Sequence, residues 1–92
     1  MKDLKTIYDG QVSFYGKAQV DESDGKISLY SYDTLVCTIE GDGYILNYDV
    51  EEQYLFSKTT LKHIKEFLKQ YYKYDVWTKK DIIKNAKNKR FE

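Results

Sequence analysis

The sequence predicts an α+β fold: an antiparallel β-meander of four to five strands packed by one amphipathic helix, with a second short basic helix at the C-terminus. Three observations predict it. The pairs Asp24-Gly25 and Asp42-Gly43 each divide two runs of alternating apolar and polar residues, the strongest short-range signal for a hairpin. Leu61, Ile64, Leu68 and Tyr71 recur at intervals of three, four and three, the period of a helix with one apolar face. Finally, Thr78 with Asp81 three residues on forms a capping box ahead of a lysine-rich stretch.

The elements follow in order. Setting Ser23 opposite Lys26 pairs Ala18 with Ser31, Val20 with Leu29 and Glu22 with Ile27 on the side that faces the core. Gly41 opposite Tyr44 builds the second hairpin from 35–41 and 44–49, with Leu35, Cys37 and Ile39 sharing a face with Leu46 and Tyr48. Asp33-Thr34 reads as the link between the hairpins, and 7–15, interrupted by Gly10, as a fifth strand. Ser57-Lys-Thr-Thr60 offers N-caps for the first helix, because short hydroxyls accept from the free N–H groups of a first turn. Phe67 widens its apolar stripe, and Trp77 is placed to staple onto Ile82 of the second helix. The chain therefore reads as a single domain, residues 1–92, with the sheet at about 7–49 and helices at about 59–73 and 79–88.

Composition narrows the class. Ten tyrosines supply much of the 41% hydrophobic content, so many half-buried rings are expected. One cysteine, Cys37, cannot pair within the chain, and no long apolar run is present, which predicts a protein of the bacterial cytoplasm without membrane contact. Proline is absent, so charge must protect the sheet edges.

The charges are sorted by position. Residues 1–56 carry four lysines against eleven carboxylates, a net −7, and residues 57–92 carry ten lysines and Arg90 against four carboxylates, a net +7. Such asymmetry concerns partners rather than chemistry. One His and one Cys do not make a zinc site, and Asp49, Glu51 and Glu52 lack the spacing of a calcium loop, so neither metal nor cofactor is expected. His63 reads as a structural or surface residue on the flank of the helix, and Cys37 as a small buried hydrophobe. No second acid or base is placed near His63 by spacing, and the chain reads as non-enzymatic.

Three segments carry a resemblance: Ser13-Phe-Tyr-Gly-Lys-Ala18, Leu29-Tyr-Ser-Tyr-Asp-Thr-Leu-Val36 and the run from Ser57 to Gln70. Over roughly residues 7–71 the chain resembles a family of short uncharacterised proteins of bacteriophages and mobile elements of low-GC Gram-positive bacteria. In that family the helix start typically reads Thr-Thr-x-x-His-Ile-x-Glu-Phe-Leu. Thr59, Thr60, His63, Ile64, Glu66, Phe67 and Leu68 match, while Lys62 stands where arginine is usual. No activity transfers from the family. The resemblance implies a context, in which small phage proteins without catalytic residues frequently antagonise host machinery, CRISPR nucleases included.

Two functions from different classes result. In the first, a phage-encoded inhibitor binds a host defence nuclease of the CRISPR kind. Asp21, Glu22, Asp24, Asp49, Glu51 and Glu52 meet its basic channel, and Tyr30 and Tyr32 act as aromatic anchors. In the alternative, Lys79, Lys80, Lys84, Lys87 and Arg90 contact nucleic-acid phosphates while Trp77 stacks on bases. Self-association, with the acidic sheet of one copy against the basic helices of another, is a third possibility.

Overall fold

The computed structural model describes residues 1–11, 13–47, 57–73 and 78–88. Five strands, β1 (Lys2–Asp3), β2 (Ala18–Ser23), β3 (Lys26–Ser31), β4 (Thr34–Glu40) and β5 (Gly43–Leu46), form one antiparallel sheet in the order of the chain. Helix α1 (Lys58–Phe67) continues into a π-helical turn, Leu68–Tyr72, and α2 (Lys79–Asn85) follows. Among the described residues no helix is long and apolar enough to cross a membrane.

The first hairpin has the register its Asp-Gly pair predicts, Ala18 opposite Ser31 through Ser23 opposite Lys26. Asp24 and Gly25 stand at φ 52° and 76°, the paired left-handed conformation of a type I′ turn. The second hairpin differs from expectation by one pair. Glu40 lies opposite Gly43, and the turn is Gly41-Asp42, with Gly41 at φ 61°. Gly43 pairs within the strand instead, and a Cβ there would come within 2.6 Å of the Lys87 side chain. That glycine marks a close approach rather than a turn.

Two further departures have local causes. The link between the hairpins is Tyr32-Asp33, not Asp33-Thr34, since Ser31 and Thr34 still pair across it. Beyond that pair the β3–β4 register slips between Leu29 and Tyr30, leaving Val36 as the extra residue of a bulge. The bulge buries Val36 and leaves Leu35 only half-buried, so the strict alternation expected for β4 fails at one step. A fifth strand exists, but it is Lys2–Asp3 against Gln19 and Val20; the expected strand at 7–15 is a loop wherever it is described. Tyr48, placed by the sequence beside Leu46, lies outside the described residues.

One face of the sheet carries the core. Val20, Leu29, Cys37, Leu46 and Tyr44 pack with Ile64, Phe67 and Leu68 of the first helix and Ile82 of the second, and Leu4 and Phe14 close the margin. Ser57 caps α1, its hydroxyl accepting from the Thr60 N–H at 3.3 Å. Thr78 caps α2 in the same way, accepting from the Asp81 N–H at 3.1 Å. The π-turn rotates the end of the first helix so that Tyr71 meets Phe67 at 5.5 Å and Tyr72 meets Tyr44 at 5.2 Å between ring centroids.

The outer edge of β5 is covered by backbone, not guarded by charge alone. The Lys87 N–H donates to the Tyr44 carbonyl at 2.8 Å. The Asn88 amide then accepts from the Leu46 N–H at 3.0 Å and donates to the Leu46 carbonyl at 2.8 Å. A side-chain amide thus substitutes for the peptide group of a sixth strand.

Candidate functional site

Helix α1 places three polar side chains in the core beside its apolar stripe. Thr60, His63 and Glu66, spaced by three residues and so on one face, are all buried. Burying such groups is costly unless each is hydrogen-bonded. Ser31, at the end of β3 and fully buried, supplies the partner for two of them: its hydroxyl lies 2.8 Å from His63 Nδ1 and 3.1 Å from the Thr60 hydroxyl. Phe14 meets the His63 ring edge-on with centroids 4.5 Å apart, and Tyr32 lies over it at 5.8 Å. Burial lowers the His63 pKa to about 4; nearby Asp9 opposes the shift and Lys62 adds to it. The imidazole is therefore neutral at neutral pH.

Glu66 performs a different task one turn later. Its carboxylate accepts the backbone N–H of Ile7 at 3.1 Å, of Tyr8 at 3.0 Å and of Asp9 at 2.7 Å, and also a hydrogen bond from Gln70. Three successive donors aimed at one anion form a nest, here occupied by a side chain of the same chain. The loop that precedes β2 is thereby fastened to the helix. The three segments that carried the resemblance converge on this place: Phe14 from the first, Ser31 and Tyr32 from the second, Thr60, His63 and Glu66 from the third.

Sequence reading missed this centre. It treated His63 as a flank residue, Thr60 as a candidate N-cap and Ser31 as a core-side strand position, and gave Glu66 no structural role. The signal was present in the spacing of three, interleaved with the apolar positions Ile64 and Phe67. Chemically the Ser31–His63 pair has the residue types of a nucleophile and its base. Yet Ser31 is 0% and His63 1% exposed, so no substrate reaches them in this conformation.

Around the buried centre stands a rim of exposed side chains: Ile7 at 65%, Tyr8 at 60%, Tyr15 at 72% and Tyr32 at 44%. Tyr15 and Tyr32 occupy left-handed backbone at φ 53° and 52°, each the first central residue of a tight turn. Such a conformation costs a non-glycine residue of order 1–3 kcal/mol and persists only where the surroundings impose it. Here the Lys17 N–H donates to the Phe14 carbonyl at 2.9 Å and the Tyr32 N–H to the Lys17 carbonyl at 2.8 Å, locking the two turns side by side.

The expected site residues are dispersed. Asp21, Glu22 and Asp24 lie at the tip of the first hairpin, where Glu40 and Asp42 of the adjacent turn join them. This acidic end is relieved by Lys2, 3.6 Å from Glu22, and Lys26, 3.4 Å from the half-buried Glu40; both pairs join neighbouring strands. Tyr32 sits at the opposite end of β3, a strand length or roughly 20 Å away. Tyr30, paired with Gln19 and Leu35, lies half-buried on the sheet face away from Ser31. Acids and aromatic anchors are thus not one cluster.

Of the basic residues, Lys79, Lys80 and Lys84 on α2 and Lys87 just beyond it are exposed. Lys87 is more than a phosphate ligand in waiting, because its stem covers Gly43. There the second helix meets the acidic turn, and the Tyr72 hydroxyl donates to the Asp42 carbonyl at 3.0 Å. Asp49, Glu51, Glu52, Trp77 and Arg90 lie outside the described residues. Among the described residues no cluster of three or more metal-ligating side chains occurs.

Comparison with known proteins gives a family. A model described as a family of unknown function, DUF8033, matches residues 2–85. The chain belongs to the DUF8033 family. The match includes both hairpins, α1 and α2, and stops short of Lys87 and Asn88, which cover the edge of β5. No curated protein and no solved structure matches the chain.

Proposed function

We propose that this protein is a non-enzymatic inhibitor that binds a nucleic-acid-handling protein through the acidic end of its sheet. The specific form is a phage-encoded antagonist of a host defence nuclease, of the anti-CRISPR kind. The observation that carries the reading is the grouping of Asp21, Glu22, Asp24, Glu40 and Asp42 at two adjacent turns, where Lys2 pairs with Glu22 and Lys26 with Glu40. A rigid hairpin tip with spaced carboxylates imitates a short row of phosphates, and a channel built for nucleic acid is basic. Burial of the Ser31–His63 pair favours binding over catalysis. The resemblance to small phage proteins supplies the choice of target.

The test is capture from the bacterial host with the intact protein and with a variant carrying Asp21→Lys, Glu22→Lys and Asp24→Lys. The intact protein retains a nucleic-acid-binding protein and inhibits it, whereas the reversed variant, folded by circular dichroism, loses both properties. Undiminished inhibition by that variant contradicts the proposal.

A further inference from the structure

We propose that the rim of Ile7, Tyr8, Tyr15 and Tyr32 is a self-association surface on which a second copy of this chain docks about a two-fold axis. Exposed large apolar side chains scattered singly over a surface call for no explanation. These four are not scattered. Glu66 holds Ile7 and Tyr8 through their backbone N–H groups, the Lys17 carbonyl that accepts from the Tyr32 N–H holds the Tyr15 turn beside the Tyr32 turn, and the Tyr32 ring lies against His63. All four are therefore tied to the buried polar face of α1 that carries His63 and Glu66, and their backbone is held by hydrogen bonds before any partner arrives, which reduces the entropy lost on association.

Area and charge indicate the occupant. With three rings and one aliphatic side chain 44–72% exposed, the rim offers on the order of 400 Å² per copy. Two copies joined rim to rim cover about 800 Å² from these residues alone, and the flanking stems of Lys5, Lys17 and Lys62 bring the total to about the 1,000 Å² that a specific contact requires. The charged residues beside the rim are of both signs, Lys5, Lys17 and Lys62 with Asp9 and Asp33. A nearly neutral, self-complementary patch on a chain of zero net charge meets its own copy without repulsion. Nucleic acid would favour a large surplus of positive charge here, whereas these five residues sum to only 3 − 2 = +1.

Sedimentation of the purified full chain across a range of concentrations, at low and at high salt, tests the inference. The result expected is a reversible dimer that survives high salt, because its contact is apolar and aromatic. The double variant Tyr15→Asn and Tyr32→Asn keeps both turns, since asparagine tolerates left-handed backbone, and removes both rings. Its dimer dissociation constant rises at least tenfold while its circular dichroism stays that of the folded parent, with some loss of melting temperature because the Tyr32 ring also covers His63. A chain that remains monomeric at every concentration, a dimer that dissolves in high salt, or an Asn variant that dimerises as before overturns the inference. Failure here is separable from failure of the proposed function: the single variant Tyr15→Asn, at a residue assigned no part in partner binding, weakens the dimer and retains partner inhibition, and the hairpin-tip reversal retains dimerisation.

Discussion

His63 sets a titration into the middle of the core. In the unfolded chain its imidazole titrates near the ordinary 6.5, whereas in the folded protein burial lowers that to about 4. Between these values the unfolded state binds more protons than the native state, so stability rises with pH across the interval. The contribution is fully present above pH 6.5 and is lost as pH falls toward 4. The displacement corresponds to about 3 kcal/mol, which on a small domain is a large share of the total. Urea unfolding at a series of pH values should show this loss, and His63→Gln should flatten the profile between pH 6.5 and 4 while lowering stability at neutral pH, because the Ser31 hydroxyl loses its imidazole partner. A profile unchanged by the substitution would mean that other groups govern acid unfolding.

At the scale of elements, the two glycines of the second hairpin have different duties. Gly41 holds positive φ in the turn, and Gly43 yields room to Lys87. Gly41→Ala is expected to destabilise by about 1 kcal/mol through backbone strain alone. Gly43→Ala destabilises through contact, and Lys87→Ala relieves it, so a double-mutant cycle shows coupling between 43 and 87 and none between 41 and 87. Coupling of the opposite pattern would place the turn at Asp42-Gly43.

These glycines also show what the sequence made legible. The first hairpin, the amphipathic stripe and both helix caps were readable because each depends on neighbours within a few positions: Asp24-Gly25, Ile64 with Leu68, Ser57 with Thr60. The second turn was misread because Gly43 answers to Lys87, 44 residues away. The bulge at Val36 and the nest around Glu66 share that character. A one-residue register slip leaves no local mark, and Glu66 finds its donors 57 to 59 residues upstream. Lone polar residues on a buried helix face look like surface positions until their partners are known.

The whole molecule, 35 × 29 × 24 Å, separates its surfaces by end. The acidic turns occupy one end of the sheet and the tyrosine rim the other, with exposed lysines on the helical layer. The charged regions approach each other at the β4–β5 turn, where Lys87 crosses Gly43, but the ion pairs Lys2–Glu22 and Lys26–Glu40 do not join sheet to helices. On the proposed function the acidic end meets a basic partner while the rim at the other end engages a second copy. The measurement that tests this most directly is competition on the purified partner between this protein and the nucleic acid that the partner binds. Added nucleic acid should displace the protein, and the affinity of the protein should fall as salt rises. Simultaneous binding of both, with neither weakening the other, would contradict it.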